Sequence, residues 1–299
     1  MRLGTVGTLA LIMGCGSSRT PGQAHATAAL TAVDADGDTV RLAHPAARVV
    51  SLVSSATDVL VGLGAVSVLA GRTRYDRDPA VAAVPSVGGG VDPDLEQLTA
   101  LRPDLVVVWE GYRTSRVAQA LATEGVPVYA APARDTAAFF QSVTALGTLT
   151  GRDSAARALS TSVRATLAAV HASVAGRPIP RVLYVIWGDP PMTVGPRTFI
   201  AELIGVAGGR NVFDDVATDW PRISMEQIVQ RAPDVVILSV GEDSARGAER
   251  LRTSPGWQTL PAVRAHRVAE VPADLANRPG PQIAEIARRF RDAEHPDAR

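Results

Sequence analysis

Two segments of this chain are nearly the same sentence: DLEQLTALRPDLVVVW, ending at Trp109, and SMEQIVQRAPDVVILSV, ending at Val240. Glu96-Gln97 and Pro103-Asp104 in the first answer to Glu226-Gln227 and Pro233-Asp234 in the second, and both pairs lie 130 residues apart. Each copy opens on a helix N-cap, Asp94 or Ser224, with Gln at the third helical position to help satisfy the free N–H groups of the first turn. Each then passes through Pro-Asp into a continuous apolar run of the kind that fills a strand buried on both faces. A helix followed by a buried strand is thus written twice, which points to duplicated lobes.

The surrounding pattern agrees. RVVSLV, DVLVGLG, VSVLAG, DLVVVW and VPVYAAP alternate strand and helix in the first half, and RVLYVIW, TFIAELIGVAGG, DVVILSV and RVAEVP repeat the alternation from Arg181. The fold class expected is α/β: two Rossmann-like lobes with mostly parallel central sheets, joined by one long helix, with a ligand cleft between the lobes. The joining helix is read in DSAARALSTSVRATLAAVHASVAG, where Leu159, Val163, Leu167, Val170 and Val174 recur at steps of three or four. Asp153 or Ser154 would cap it, Gly176 would end it, and about 22 residues make a rod of ~33 Å. Ahead of the first lobe, VDADGDTVRL carries the Asp-Gly punctuation of a β-hairpin. Its Asp34, Asp36 and Asp38 do not complete a calcium loop, because Pro45 stands where the twelfth-position carboxylate is needed.

The N-terminus constrains location. Arg2 precedes an apolar segment from Leu3 to Met13, too short to span a bilayer and shaped like a secretory signal. Gly14-Cys15 follows, and Cys15 is the single cysteine of the chain, so no intramolecular disulfide can form. The segment resembles the lipobox of bacterial lipoproteins, which implies lipidation at Cys15 and an extracytoplasmic protein held to the outer face of the bacterial cytoplasmic membrane, or a periplasmic one. GSSRTPGQAHATAA then reads as a flexible tether. The organisation expected is a lipoprotein signal over 1–15, the tether over 16–29, an N-terminal lobe over 30–134, connecting helices over 135–178 and a C-terminal lobe over 179–299.

Composition removes several classes of function. Thirty basic residues against thirty acidic ones leave no net charge, so no global field favours nucleic acid. There is no lysine, which excludes a Schiff-base or phosphate-loop lysine. The five histidines (25, 44, 171, 266 and 295) show no paired metal spacing, and neither a nucleophile elbow nor a phosphate loop appears. No cofactor, resident metal or catalytic residue is expected. An extracytoplasmic two-lobed enzyme stands as a remote alternative, and a lipoprotein that kept the fold and lost transport as another.

What remains is a binding site. In open parallel sheets ligands sit beyond the carboxyl ends of the strands, and there the chain places Tyr75, Trp109, Tyr112, Trp187, Asp274 and Arg278, with Trp220 just ahead of the second repeat helix. Aromatics are only 4% of the chain, yet three of its four tryptophans fall at this rim. They would give flat walls for a large, partly planar ligand, with Asp274 and Arg278 fixing its polar groups. The alternative for Trp109 and Trp187 is that they plug the sheet ends.

From about Arg41 to Arg289 the chain resembles the substrate-binding proteins of ABC importers, in their helical-backbone class and most of all the cobalamin-binding type. The residues that carry the resemblance are RVVSLVSSATDVL, TRYD, VGGGVDPDLEQLTALRPDLVVVW, DPPMTVG, GGRNVFDD, DWPRISMEQI and ADLANRPGP. It implies a monomeric, non-enzymatic receptor that passes its ligand to a membrane permease and its ATPase. The aromatic contacts of the class match Tyr75, Trp109 and Trp220, and its polar pair matches Asp274 and Arg278. Met192 replaces one aromatic of the pattern, Leu275-Ala276 replace an aromatic pair, and Trp187 is extra. The resemblance also implies a docking acid on each lobe. Glu226 matches the second, while Ser115 stands where the first is expected, with Glu110 nearby. Cobalamin is the ligand the resemblance favours, and a ferric siderophore or haem is the alternative.

Overall fold

The apolar runs become strands because almost every residue in them is buried on one face or the other. A computed structural model describes Met1 and residues 29–112, 115–186, 190–241 and 247–298. Cys15, residues 16–28 of the expected tether, and Trp187 therefore lie outside the described residues. The first described elements form the expected hairpin, β1 (Leu30–Val33) against β2 (Thr39–Leu42). Its turn is closed by Asp34 Oδ1, which accepts the N–H groups of Asp36 and Asp38 at 3.1 and 2.9 Å, and Gly37 takes a left-handed φ of 85°.

The first lobe contains β3 (Val49–Ser51), α1 (Ser54–Gly62), β4 (Leu69–Gly71), α2 (Leu95–Ala100), β5 (Leu105–Trp109), α3 (Arg116–Thr123) and β6 (Val128–Ala131), and its strands lie in the order β4-β3-β5-β6. Two further helices follow, α4 (Thr136–Leu149) and α5 (Asp153–Ser173). The second lobe contains β7 (Arg181–Ile186), α6 (Phe199–Val206), β8 (Arg210–Asn211), α7 (Met225–Arg231), β9 (Val235–Val240), α8 (Gly247–Thr253), α9 (Pro261–Arg264), β10 (Val268–Pro272), α10 (Ala273–Ala276) and α11 (Ile283–Glu294). Its strands run β8-β7-β9-β10, so both sheets share one order, and every pairing within them is parallel. The duplication read from 16 letters extends to whole lobes.

The repeat is kept in its hydrogen bonds. Asp94 accepts the N–H of Gln97 at 3.0 Å, and Ser224 accepts that of Gln227 at 3.2 Å while Gln227 accepts the Ser224 N–H at 2.9 Å. The full capping box forms only in the second copy. Both repeat helices end on a left-handed residue at matching positions, Arg102 with φ 46° and Ala232 with φ 40°. The Pro-Asp pair explains itself next. Asp104 accepts the N–H groups of Ala47 and Arg48 at 2.8 and 2.9 Å, and Asp234 accepts that of Arg181 at 2.8 Å. Each aspartate thereby ties its strand to the start of the lobe's first strand. Arg48 and Arg181 complete the arrangement by donating to carbonyls at the ends of α2 and α7, where a cation also suits the helix dipole.

Alternation along the strands divides the core. Leu105, Val107, Val182, Tyr184, Val235 and Ile237 face one cluster that both lobes share with α1, α4, α5, α6 and α11, whereas Val106 and Val108, and Leu183, Val185, Val236 and Leu238, face separate clusters on the outer side of each lobe. The joining helix α5 buries Ala156, Val163 and Val170 and half-buries Leu159 and Leu167. One correction concerns its start: Arg152 is the N-cap and makes no side-chain cap, while Asp153 lies inside the helix and accepts from Thr148 Oγ1 at 2.8 Å. Gly176 does follow its end with φ 75°. A core continuous through both lobes restrains hinging more than a bare linker would. Among the described residues, no helix is long and apolar enough to cross a membrane.

Candidate functional site

Because the sheets are parallel, each lobe gathers its strand ends on one edge, and the loops leaving those edges meet between the lobes. The meeting is polar. Arg77, in the loop after β4, reaches Asp274 of α10 at 3.5 Å, and Asp58, on α1, lies 3.8 Å from Arg278 and accepts from Gln282 Nε2 at 3.2 Å. These residues line an interlobe groove of about 500 Å³, together with Asp78 and Leu275. α1 can approach the opposite lobe this closely because Gly62 faces Pro281, whose Cγ would lie 3.1 Å from an added Cβ.

Local bonding holds the second-lobe side of the groove. Tyr184 Oη donates to Asn277 Oδ1 at 2.7 Å and Asn277 Nδ2 donates to Ser239 Oγ at 2.9 Å, which fixes the segment carrying Asp274 and Arg278 onto β7 and β9. Arg278 in turn donates through Nε and Nη2 to the Asp274 carbonyl at 3.0 and 2.9 Å, leaving Nη1 toward Asp58. Burial pushes the Asp58 carboxyl up to about 6; Arg278 and the Gln282 bond oppose the shift, and Asp76 and Asp78 add to it.

The aromatic residues occupy different settings. Tyr75 is 56% exposed with the Arg74 guanidinium 5.2 Å from its ring centre, and Trp220 is 41% exposed. Both rings are exposed, and the Tyr75 hydroxyl also meets the Arg74 side chain. Trp109 ends β5 half-buried, packed against the shared core, and its Nε1 would lie 3.0 Å from a Cβ at Gly90. Its ring is thus partly core and partly surface. Tyr112 packs on the outer core of the first lobe and donates to the Val91 carbonyl at 2.7 Å, so its hydroxyl is already engaged. Met192 is pinned by bridges to Ile186 and Arg222, which ties the Trp220 loop to the end of β7. Asp274 and Arg278 are brought together, and both line the groove.

Ser115 is the N-cap of α3, accepting the Ala118 N–H at 3.1 Å, and Glu110 pairs with Arg134 at 3.1 Å. The repeat offers another acid. Glu96 stands in the first turn of α2 as Glu226 stands in that of α7, 130 residues apart, and both are exposed. Sequence reasoning also missed Asp58, Arg77 and Gln282. A signal existed for Asp58, the one charge in the otherwise apolar and small-residue helix SSATDVLVG.

A larger hollow, about 600 Å³, lies between β1 and α4, where Arg164 stacks on Phe140 at 3.7 Å. It receives none of the sheets' carboxyl-end loops, so the interlobe groove is the better candidate. No group of three or more His, Cys, Asp or Glu among the described residues is arranged to hold a metal ion.

Two parallel-sheet lobes around a charge-paired groove define a two-lobed solute-binding protein; among the described residues, Tyr75, Trp109, Tyr112 and Trp220 are not part of the groove's lining. Residues 49–275 match the model of the periplasmic binding protein family, and the chain belongs to that family. It is similar to the cobalamin-binding protein of Halobacterium salinarum, 31% identical over 278 residues that cover 89% of this chain and 74% of that one. It is 25% identical to an uncharacterised ABC transporter substrate-binding lipoprotein of Bacillus subtilis over 90% of this chain and 86% of the other. A periplasmic heme-binding protein from Pseudomonas aeruginosa superposes with a TM-score of 0.74 at 26% identity, over 85% of this chain and 94% of that one. All three relatives are named as binding proteins, and this chain is a binding protein rather than an enzyme.

Proposed function

We propose that this chain is the extracytoplasmic, lipid-anchored binding component of an ABC importer, that its ligand is cobalamin or a closely related corrinoid, and that it hands this ligand to a permease and its ATPase. The observation that carries the ligand reading is the charge pairing of the groove. Its two arginines, Arg77 and Arg278, each face a carboxylate, Asp274 and Asp58, and Asp78 adds a further acid. A polyanionic chelate or the paired propionates of haem would have to displace those carboxylates. A neutral ligand edged with amides can instead donate to Asp274 and Asp78 and accept from the arginines. The exposed faces of Tyr75 and Trp220 and the half-buried Trp109 suit a broad, flat macrocycle. Trp187 and Met192 stand as further ligand contacts and Cys15 as the lipid anchor.

Glu96 and Glu226 are the docking pair for the permease. They occupy matching, exposed positions on duplicated helices, so two similar lobes present one acid each to two similar partner subunits.

Haem is the second reading, favoured by the exposed Tyr75 phenol, a group able to ligate ferric iron. Parallel titrations of the fragment after Cys15 with cyanocobalamin and with ferric haem, followed by tryptophan fluorescence and calorimetry, separate the two. One-to-one cyanocobalamin binding at micromolar affinity or better, about −8 kcal/mol, supports the corrinoid. Haem binding alone, with a phenolate-to-iron absorption band lost in Tyr75→Phe, replaces it.

A further inference from the structure

The groove contains one charged group that the aromatic and polar rim did not announce. Asp58 belongs to the first lobe, yet both of its side-chain partners, Arg278 and Gln282, belong to the second. Its side chain is 15% exposed, and the Arg278 side chain is 22% exposed. Arg278 is held by two N–H groups to the Asp274 carbonyl, and only the remaining nitrogen, Nη1, faces the groove and Asp58. At 3.8 Å the contact is an ion pair and does not use up an N–H of Nη1 in a short hydrogen bond.

We infer that Asp58 is a positioning residue of the binding cleft: its carboxylate, acting across the lobes, holds the Arg278 guanidinium and the Gln282 amide in the orientation that meets the ligand. The inference rests on the proposed function for the identity of the ligand only. Charge on Asp58 orients the fork of Arg278, and loss of that charge leaves Nη1 without its anionic partner and the two lobes without this bridge.

A titration in the range of weak acidity follows from the surroundings. Burial is the largest cause and sets the carboxyl near 6. The charged groups that face it are Arg278 from the segment before α11 and Asp76 and Asp78 from the loop after β4, while Arg77 of that loop is directed to Asp274 of α10. Gln282 faces it as a neutral donor, and α5 meets this end of α1 through the apolar Leu159. The carboxylate is therefore present above pH 6 and lost as the pH falls through it.

Two readouts test the inference, one without ligand. In the ligand-free protein the Nε–H resonance of Arg278, assigned by its disappearance in Arg278→Lys, is expected to shift with a midpoint near pH 6. It is expected to stay flat in Asp58→Asn. With cyanocobalamin as probe, affinity is expected to weaken by about tenfold between pH 7.5 and 5, the scale of one lost charge-assisted contact. Asp58→Asn is expected to show the low-pH affinity throughout, and Asp58→Glu to restore the pH dependence. An Arg278 resonance that does not titrate, or a pH dependence that survives Asp58→Asn, overturns the inference. A titrating Arg278 in a folded protein that binds no cyanocobalamin at any pH supports the positioning role and removes the corrinoid reading.

Discussion

The two lobes are alike where they are held together and unlike where they face the cleft. Each has the same strand order, the same capped helix, the same left-handed stop and the same aspartate tying two strand starts. Their rims share almost nothing: Tyr75, Arg77 and Trp109 on the first, Met192, Trp220, Asp274 and Arg278 on the second. Backbone pairing needs the framework to be repeated in both halves, whereas one asymmetric ligand needs two different walls. The difference also reaches the interior. α11 packs on the second lobe, and Glu294 at its end has neither carboxyl oxygen hydrogen-bonded, against a turn where a Cβ on Gly209 would lie 2.6 Å from Oε2.

That buried acid gives the largest expected effect. Burial pushes Glu294 up to about 9; the nearby Gly209 N–H opposes only in part, because it already donates to the Ile204 carbonyl at 3.0 Å and makes no full hydrogen bond to the carboxyl. The folded state therefore holds a proton that the unfolded chain releases between about pH 4.5 and 9, and stability from this group is lost as the pH rises through that window. Asp58 acts in the same direction between about 4 and 6. Glu294→Gln cannot ionise, and it should raise stability at pH 7 by up to about 3 kcal/mol. The gain should grow toward pH 8.5. Denaturant unfolding from pH 7 to 8.5, where His295 is neutral, checks this. A variant no more stable than wild type would show that Glu294 has a partner.

Next in size are the rim aromatics. Trp109→Ala should weaken ligand binding by ~1–3 kcal/mol if its ring is a stacking wall. Trp220→Ala should act on affinity with little change in stability, because that ring is 41% exposed while Trp109 packs on the core. Calorimetry paired with thermal melts separates wall from plug. Unchanged affinity in Trp109→Ala would make it a plug.

The framework comparison can be broken more directly. Asp104→Ala removes the acceptor of two backbone N–H groups and Asp234→Ala that of one. Expected losses are ~1–2 kcal/mol for the first and about half that for the second. Equal losses, read by urea unfolding, would mean that the two aspartates do not act through these bonds.

The framework was legible in the sequence because it is built from local rules: caps sit beside their helices, buried strands are apolar throughout, and a repeated pattern announces a repeated unit. The hairpin at Asp34 and the long helix α5 were read for the same reason. The start of α5 was misplaced because Asp153 and Ser154 suit a cap by type, while the backbone turns one residue earlier at Arg152. The groove's ion pairs were not legible. Asp58 and Arg278 are joined by tertiary packing across most of the chain, and no local pattern relates them. Glu96 was hidden differently, since its meaning depends on superposing the lobes and not on its neighbours.

The smallest expected effect on the isolated protein tests that superposition. Glu96 and Glu226 are exposed side chains in the first turns of α2 and α7. Replacing either by Ala should leave folding stability and ligand affinity within about 0.5 kcal/mol. Measured with the reconstituted importer, each replacement should reduce stimulation of the ATPase, and the double replacement should reduce it further than either alone. Two lobes that dock through equivalent points predict effects of similar size. A loss confined to Glu226→Ala would mean that the repeat preserved the helix in the first lobe and not its use. A loss of ligand affinity in Glu96→Ala would place that glutamate in the cleft and return the first-lobe docking role to the loop around Glu110.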